Sequence, residues 1–467
     1  MTNQLRSSDY TIFVKVDDDN YLIIHGYTGS IDLISKNYAH ALRINDLDKL
    51  PDSIKKRLQS RGYLTHKNSS EERNVVRIIG ETIHKKELSR RYFMFLVAYD
   101  CNFRCPYCYE SAISENGSGW KGEVLSKAMI DKAFSIISSE SERTNIRNSI
   151  TLYGGEPLLC KNKNIVEYIV NKGVDYGYTF SAITNGYELH HFNKILGKGK
   201  LNVLQITIDG NERIHNERRR HHLNGDTYKQ ILKNIALAID NKVKVNVRVN
   251  VDKENIKQID GFLEHIKSNK WENSEYFRCY AQPVQFQRIS SEQIVTNCGG
   301  SSCADSEIKL NKAQLFDFIE KELDQDKINI INVPDNSIKT RLKEIFNHGG
   351  NLQMRSVFCS AHSGLMIFDP RGQIFSCWEF VGHQFSTIGN YYPNFSFNDE
   401  NLKKWNSRTF YNINSCVKCK YALFCGGGCS AKALIENGKL ENSYCNSFQA
   451  IFQRSVKSSY SEFLSKK

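Results

Sequence analysis

Phe93-Met-Phe-Leu-Val-Ala-Tyr-Asp-Cys-Asn-Phe-Arg-Cys-Pro-Tyr-Cys-Tyr109 joins an apolar run to a cysteine-rich loop. The run 93–98 has the length and composition of a buried strand. Cys101, Cys105 and Cys108 follow at once in the spacing C-x3-C-x2-C, with no fourth cysteine nearby. A four-iron cluster is normally held by four thiolates. Three therefore leave one iron with an open position, and open positions on metals are where chemistry takes place. The loop reads as a reagent holder and not as a structural staple.

The rhythm around this loop sets the fold class. Helical periodicity over 124–138, 164–172, 189–196, 227–241 and 255–269 alternates with strand patterns over 149–153, 178–184, 201–208, 244–251 and 276–282. Such alternation predicts right-handed βαβ units and an α/β fold with a parallel sheet. Active residues of these sheets gather at the C-terminal ends of the strands. The three-cysteine loop sits at that end of the first strand.

The flanks differ. Residues 1–85 read as a small α+β module: strands over 10–16, 21–26 and 31–34, a turn at Asp17-Asp-Asp-Asn20, short helices over 38–42 and 51–61, and a polar linker over 67–73. The α/β core is assigned to 90–290, a bridge to 291–350, and a cysteine-rich segment to 351–467.

The chain has 467 residues, 40% of them hydrophobic, with 14 cysteines and a formal net charge of +12. No apolar run approaches the roughly 20 residues of a membrane span, and the N-terminus lacks a signal-peptide core. A cytoplasmic protein with no membrane partner is expected. Disulfides are disfavoured there, so the cysteines point to metal or catalytic use. The positive charge suits either a solvated surface or an acidic partner. No recognisable nucleic-acid domain is present, which argues against nucleic acid as a partner.

The cysteine loop, with Tyr107 before its last cysteine, resembles the signature of the radical S-adenosylmethionine superfamily. Gly154-Gly-Glu-Pro157 after the second strand resembles that family's GGE motif, and Thr184-Asn-Gly186 follows the third. Thr207-Ile-Asp-Gly210 and His215-Asn-Glu-Arg-Arg219 resemble its S-x-D-G and H-x3-R stretches. The resemblance implies a partial (β/α)6 TIM-like barrel. It also implies a [4Fe–4S] cluster on Cys101, Cys105 and Cys108 whose open iron chelates S-adenosylmethionine. Cofactor contacts are then expected from Tyr107, Gly154, Gly155, Glu156, Asn185, Thr207 and Arg219. Glycine allows close backbone approach, Glu156 suits the cofactor's ammonium, and Arg219 suits its carboxylate. The bland alternatives are a zinc site short of one ligand, a plain Gly-Gly turn and a solvated arginine.

Cys359, Gly372, Cys377, Cys416, Cys419, Cys425, Cys429 and Cys445 closely resemble the seven-cysteine SPASM domain. That family's ligation implies two auxiliary [4Fe–4S] clusters, making three in all. Cys416, Cys419, Cys425 and Cys445 would hold one. Cys359, Cys377 and Cys429 would hold the other, left open or completed by Cys298 or Cys303. A zinc ribbon is the alternative. Cys160 and Cys279 have no partner at metal spacing and are expected to be buried thiols.

SPASM enzymes act mostly on peptides or proteins. The first 85 residues resemble, more loosely, winged-helix-like recognition modules (RRE/PqqD-like) that bind a precursor's leader as an added strand. The expected function is an oxidoreductase that matures ribosomally made (RiPP) precursor peptides by a thioether or carbon–carbon cross-link, fed by an external one-electron reductant. An anaerobic sulfatase maturase making formylglycine is the alternative, weakened by Trp378, where that family carries an aspartate base. A non-catalytic iron–sulfur scaffold is the alternative of another class.

Overall fold

A computed structural model of the chain describes residues 4–108, 110, 122–144, 149–284, 288–289, 294–295, 310–332 and 336–465. The chain divides into two compact units, each assembled from separate stretches. One comprises 90–334 and 364–405; the other comprises 1–89, 335–363 and 406–467.

The first unit is built on a single sheet. Its strands are β1 (Tyr92–Leu96), β2 (Ile150–Tyr153), β3 (Phe180–Thr184), β4 (Leu201–Ile208), β5 (Lys244–Val251) and β6 (Phe277–Pro283). They lie side by side in sequence order and pair in parallel throughout. This is the α/β arrangement that the strand–helix alternation predicts. The run stays open and is extended at both edges. β7 (Ile331–Asn332) adds in parallel to β6, and β8 (Leu365–Phe368) in parallel to β1. β9 (Gln373–Phe375), β10 (Thr387–Asn390) and β11 (Ser396–Phe397) then continue it antiparallel.

Period-2 alternation explains the two faces. On β4 and β5, Ile206, Ile208, Val247 and Val249 are fully buried, whereas Gln205, Thr207 and Arg248 are half-buried on the other face. On β1, the Phe95 ring packs 5.5 Å from Phe134 of the helix Lys127–Thr144. The opposite face is mixed: Met94 and Leu96 of β1 bury there with Tyr153, whereas Thr151 Oγ1 and Ser181 Oγ lie 2.9 Å apart, and the Tyr280 hydroxyl donates to Gln205 Oε1 at 2.8 Å. The segment expected as a helix over 189–196 is a 3-10 helix, Leu189–Ile195.

In the second unit, Thr11–Lys15, Asn20–His25 and Ile31–Ser35 form an antiparallel meander. Asp17 Oδ1 closes its first turn by accepting the amides of Asp19 and Asn20. One face buries Ile23 and Ile34 with Leu42 and Leu58 of the helices Lys36–Arg43 and Asp52–Ser60. The other face buries Ile12, Val14 and Leu22 with Leu342, Phe424, Phe452 and Val456.

The expected linker over 67–73 is instead the start of the helix Ser69–Leu88. Asn68 accepts the amides of Ser70 and Glu71, and the Glu71 side chain accepts the Asn68 amide. This capping box satisfies end groups that a polar composition conceals. Among the described residues, no helix is long and apolar enough to cross a membrane.

Candidate active site

The cysteine loop leaves the C-terminal end of β1. Val97 N–H still pairs with the Tyr153 carbonyl at 2.8 Å, and the chain then turns. The loop is held from the far side by residues following β4: Arg104 N–H donates to the Arg220 carbonyl at 3.0 Å, and His222 N–H to the Asn102 carbonyl at 2.9 Å. Phe103 N–H points at Cys101 Sγ, 3.4 Å away. All three thiols are unbridged. Burial is the first cause raising each thiol's pKa, to about 12 for Cys108 and well above the usual value for Cys101. Cys105 and Cys108 add to the rise at Cys101, so the thiols are near one another. Thiolates in such a place need a cationic partner. Among the described residues, no three His, Cys, Asp or Glu side chains converge as ligands of a single ion. A four-iron cluster takes one thiolate per iron and so asks for sulfurs set apart.

Gly154 and Gly155 follow β2 and lie against this loop. A Cβ on Gly155 would sit 2.4 Å from the Asp100 carbonyl oxygen and 2.6 Å from that of Tyr99. On Gly154, at φ +131°, it would sit 2.4 Å from the Ala98 oxygen. Gly155 N–H donates to Ala98 O at 3.0 Å and Glu156 N–H to Asp100 O at 2.8 Å. The first thing these glycines admit is therefore the backbone of the cysteine loop itself.

Glu156 is buried and ties β2 to β3. Its Oε1 accepts from the Thr184 hydroxyl at 2.5 Å and Leu158 N–H at 2.9 Å, and its Oε2 from Asn185 N–H at 2.6 Å. Burial pushes its pKa up to about 7, although these donors pull it down. Asn185 passes the link on: its Nδ2 donates to Asn102 Oδ1 at 2.7 Å, next to Cys101. Its own Oδ1 accepts Tyr187 N–H. Thr207 lies near the end of β4, half-buried and in register with Arg248.

A second network closes the ring. The Tyr107 hydroxyl donates to Asp209 Oδ2, while Arg219 Nη1 and Asn250 Nδ2 donate to that hydroxyl at 2.8 and 3.3 Å. Arg218 sits 5.4 Å from the centre of the Tyr107 ring, pairs with Asp252 at 2.8 Å and reaches Asp209 at 3.4 Å. His215 is buried, and burial drives its pKa well down, so it is neutral. Its Nδ1 accepts Asp209 N–H, and its Nε2 lies 3.1 Å from Thr227 Oγ1, which donates to Arg219 O. Arg219 Nε and Asp209 Oδ1 are buried without a hydrogen-bond partner. An unmatched guanidinium N–H beside Cys105 and Cys108 suits the carboxylate of a bound ligand.

The structure thus brings Cys101, Cys105, Cys108, Tyr107, Gly154, Gly155, Glu156, Asn185 and Arg219 into one linked site. Sequence reading assigned no role to three partners. Asp209 and Asn250 orient Tyr107, and Asp369 Oδ2 accepts the hydroxyl of Tyr99, just before the loop, at 2.6 Å. Asp369 is in the β8–β9 turn, too distant in sequence for any local signal.

In the other unit, Cys416, Cys419, Cys425 and Cys445 act electrostatically on one another, so the four expected to share a cluster are neighbours. Beside them is Arg408, also unsignalled in the sequence. It is buried, and its donors go to the carbonyls of Leu440, Gly428 and Asn442. Burial lowers its pKa, while the charges of Cys359, Cys429, Cys416 and Cys425 favour its cation. A buried cation whose hydrogen-bond partners among the described residues are carbonyls matches a site that gathers thiolate charge. Cys377 belongs to the sheet-based unit and acts on Tyr153, as does Cys108. Cys298 and Cys303 lie outside the described residues. Cys279 is buried as expected, but Cys160 is exposed, because it begins a surface 3-10 turn.

Residues 95–266 match the family model of the Radical SAM superfamily. The cysteine-type anaerobic sulfatase-maturating enzyme of Clostridium novyi is 23% identical over 371 residues, 76% of this chain and 92% of that protein. The radical SAM cyclopropyl synthase TigE of Paramaledivibacter caminithermalis is 22% identical over 480 residues, 95% of this chain and 92% of that protein. Among solved structures, native anSMEcpe with bound AdoMet aligns at a TM-score of 0.58 and 18% identity, over 81% of this chain and 100% of that one. Streptococcus suis SuiB bound to S-adenosylmethionine aligns at 0.50 and 14%, over 94% of this chain and 98% of that one. The superfamily's chemistry rests on S-adenosylmethionine and one [4Fe–4S] cluster, and the free thiols, the closely packed glycine loop and the unmatched Arg219 Nε fit both. The chain carries a radical SAM domain and is a radical SAM superfamily enzyme.

Proposed function

We propose that this enzyme abstracts a hydrogen from a ribosomally made precursor peptide and closes a thioether or carbon–carbon cross-link. The observation that carries this reading is coverage. The match to the cyclopropyl synthase spans 95% of the chain, against 76% for the sulfatase-maturating relative. A cyclopropyl ring is closed by carbon–carbon bonds, which is the second of the two linkages named.

When bound, the cluster and S-adenosylmethionine supply the 5′-deoxyadenosyl radical. This chain's residues orient the cofactor and keep water away. Arg219 takes the carboxylate, Glu156 and its loop take the ammonium, and Asn185, Thr207 and Tyr107 complete the cradle. Gln205, Thr207, Arg248 and Tyr280 offer the peptide a polar, half-buried face. Residues 1–85 recognise the leader, 90–290 carry the radical chemistry, 291–350 bridge, and 351–467 carry two auxiliary clusters. Cys416, Cys419, Cys425 and Cys445 hold one of these, and Cys359, Cys377 and Cys429 the other. An external one-electron reductant primes the reaction.

The test is direct. Reduced enzyme and precursor should yield 5′-deoxyadenosine and a peptide two hydrogens lighter. An unchanged peptide mass, with every candidate precursor encoded nearby tried, overturns the proposal. The second reading, formylglycine formation, is favoured by the sulfatase-maturating relative, which is matched over 92% of its length. An aldehyde product from a cysteine-containing sulfatase peptide would establish it instead.

A further inference from the structure

A cleft of about 550 Å³ opens in the second unit, beside the meander edge strand Thr11–Lys15 and the helix Lys36–Arg43. Its lining includes Arg6, Thr11, Phe13, Leu42, Arg43 and Lys420. Three of these are cations. Arg6 is matched: it pairs with Asp9, which also lines the cleft, at 2.9 Å and with Glu72 at 2.6 Å. The other two are not. Among the described residues, neither Arg43 nor Lys420 has a carboxylate within ion-pair distance. Arg43 instead lies 4.8 Å over the Phe13 ring and 4.7 Å over the Tyr21 ring. Among the described residues, Lys420 Nζ donates to the Thr11 carbonyl alone, at 3.3 Å. Arg43 is close enough to disfavour the cation of Lys420, after the larger effect of burial. Thr11 is 4% exposed, and its hydroxyl has no hydrogen-bond partner. Two facing cations and an orphan hydroxyl lack one thing between them, an anion with several acceptor atoms.

The strand edge says what carries that anion. Gly26 N–H donates to Tyr10 O and Val16 N–H to Asn20 O, and the register pairs Ile12 with Ile24 and Val14 with Leu22. In an antiparallel pair, alternate positions exchange the bonds. The even positions therefore face the neighbouring strand, and the main chain of Phe13 and Lys15 faces the open edge, while Thr11 N–H donates to Ser8 O at 3.3 Å and its carbonyl accepts from Lys420 Nζ. An extended peptide can pair there, and its side chains would alternate over the cleft.

We propose that this cleft is a carboxylate-binding site, formed by Arg43, Lys420 and Thr11, that takes an acidic side chain of an extended peptide lying along the Thr11–Lys15 edge. The assignment rests on the peptide-substrate reading above. It adds that acidic residues are what the second unit selects.

The test uses the full-length, cluster-loaded enzyme and fluorescein-labelled Val-Glu-Val-Glu-Val, with Val-Gln-Val-Gln-Val as its neutral counterpart. Binding is followed by anisotropy at low salt. The acidic peptide should bind about tenfold tighter, as one charge-assisted contact predicts. That gap should shrink severalfold in Arg43→Gln and in Thr11→Val. Inorganic phosphate is titrated alone and as a competitor. Equal binding of the two peptides overturns the proposal. So does a gap that Arg43→Gln leaves intact. Phosphate displacing the acidic peptide at micromolar concentration identifies a free-anion site and also overturns it. Arg43→Gln should leave peptide-independent 5′-deoxyadenosine formation with dithionite unchanged, which shows that the variant is folded. If no precursor is modified but the acidic peptide still binds through Arg43, the cross-linking reading fails and the carboxylate site stands.

Discussion

Arg219, in the segment after β4, donates from Nη1 to the hydroxyl of Tyr107 in the cysteine loop at 2.8 Å. One bond thus couples the arginine assigned to the cofactor carboxylate with the loop that holds the cysteines. Tyr107 in turn donates to Asp209, so the phenol is oriented from two sides.

Tyr107→Phe should therefore disturb both. It leaves Arg219 Nη1 and Asp209 Oδ2 short of a partner in a buried place, a cost of about 2–4 kcal/mol. We expect a lower thermal midpoint in the cluster-free protein and a clearly slower release of 5′-deoxyadenosine by the loaded enzyme. Arg219→Lys should keep the charge but lose the fork, raising the apparent KM for S-adenosylmethionine more than it lowers kcat. Unchanged values in both variants would remove this network from the site.

Gly155→Ala tests the packing of two loops. The new methyl would meet the carbonyl oxygens of Asp100 and Tyr99, backbone atoms that cannot swing away. The cysteine loop has to move, so iron bound per chain should fall even though every cysteine is present. Iron assay and the electron paramagnetic resonance signal of the reduced cluster check this.

Iron should also persist when the first site is removed. A Cys101→Ala, Cys105→Ala, Cys108→Ala triple variant should release no 5′-deoxyadenosine yet keep iron on the distal cysteines. Adding Arg408→Gln should lower that remaining iron, because the guanidinium favours the thiolates of Cys416 and Cys425. An iron-free triple variant would remove the auxiliary clusters.

Asp369 gives a pH signature. Burial raises its pKa from 3.8 to about 6 against three hydrogen bonds that lower it. Between those values the folded chain holds a proton that the unfolded chain has released. The contribution is full below about pH 4 and is lost as pH rises to about 6, roughly 3 kcal/mol in all. Urea unfolding of the cluster-free protein should show this falling component, and Asp369→Asn should flatten it.

Much of this was legible in the chain. β4 and β5 appear over the residues that their alternation marks, because period 2 is a local property of the backbone. The site motifs were legible because each sits just past a strand, where the parallel topology must collect it. The helix at Ser69–Leu88 was obscured by its polar first turn, although the Asn68–Glu71 capping pair was there to be read. Cys160 could not be judged, since exposure depends on what packs alongside.

Sequence by itself determined the alternation of strand and helix, the three-cysteine loop and the order of motifs along the sheet. These rest on spacing between near neighbours, where backbone geometry translates residue type directly into position. Only the tertiary structure decided that the two glycines of 154–155 first make room for the cysteine loop, that Asp369 holds Tyr99 from 270 residues away, and that Arg408 lies buried among the distal cysteines. Those depend on which distant surfaces meet, and burial then sets which charges and hydrogen bonds each group must find.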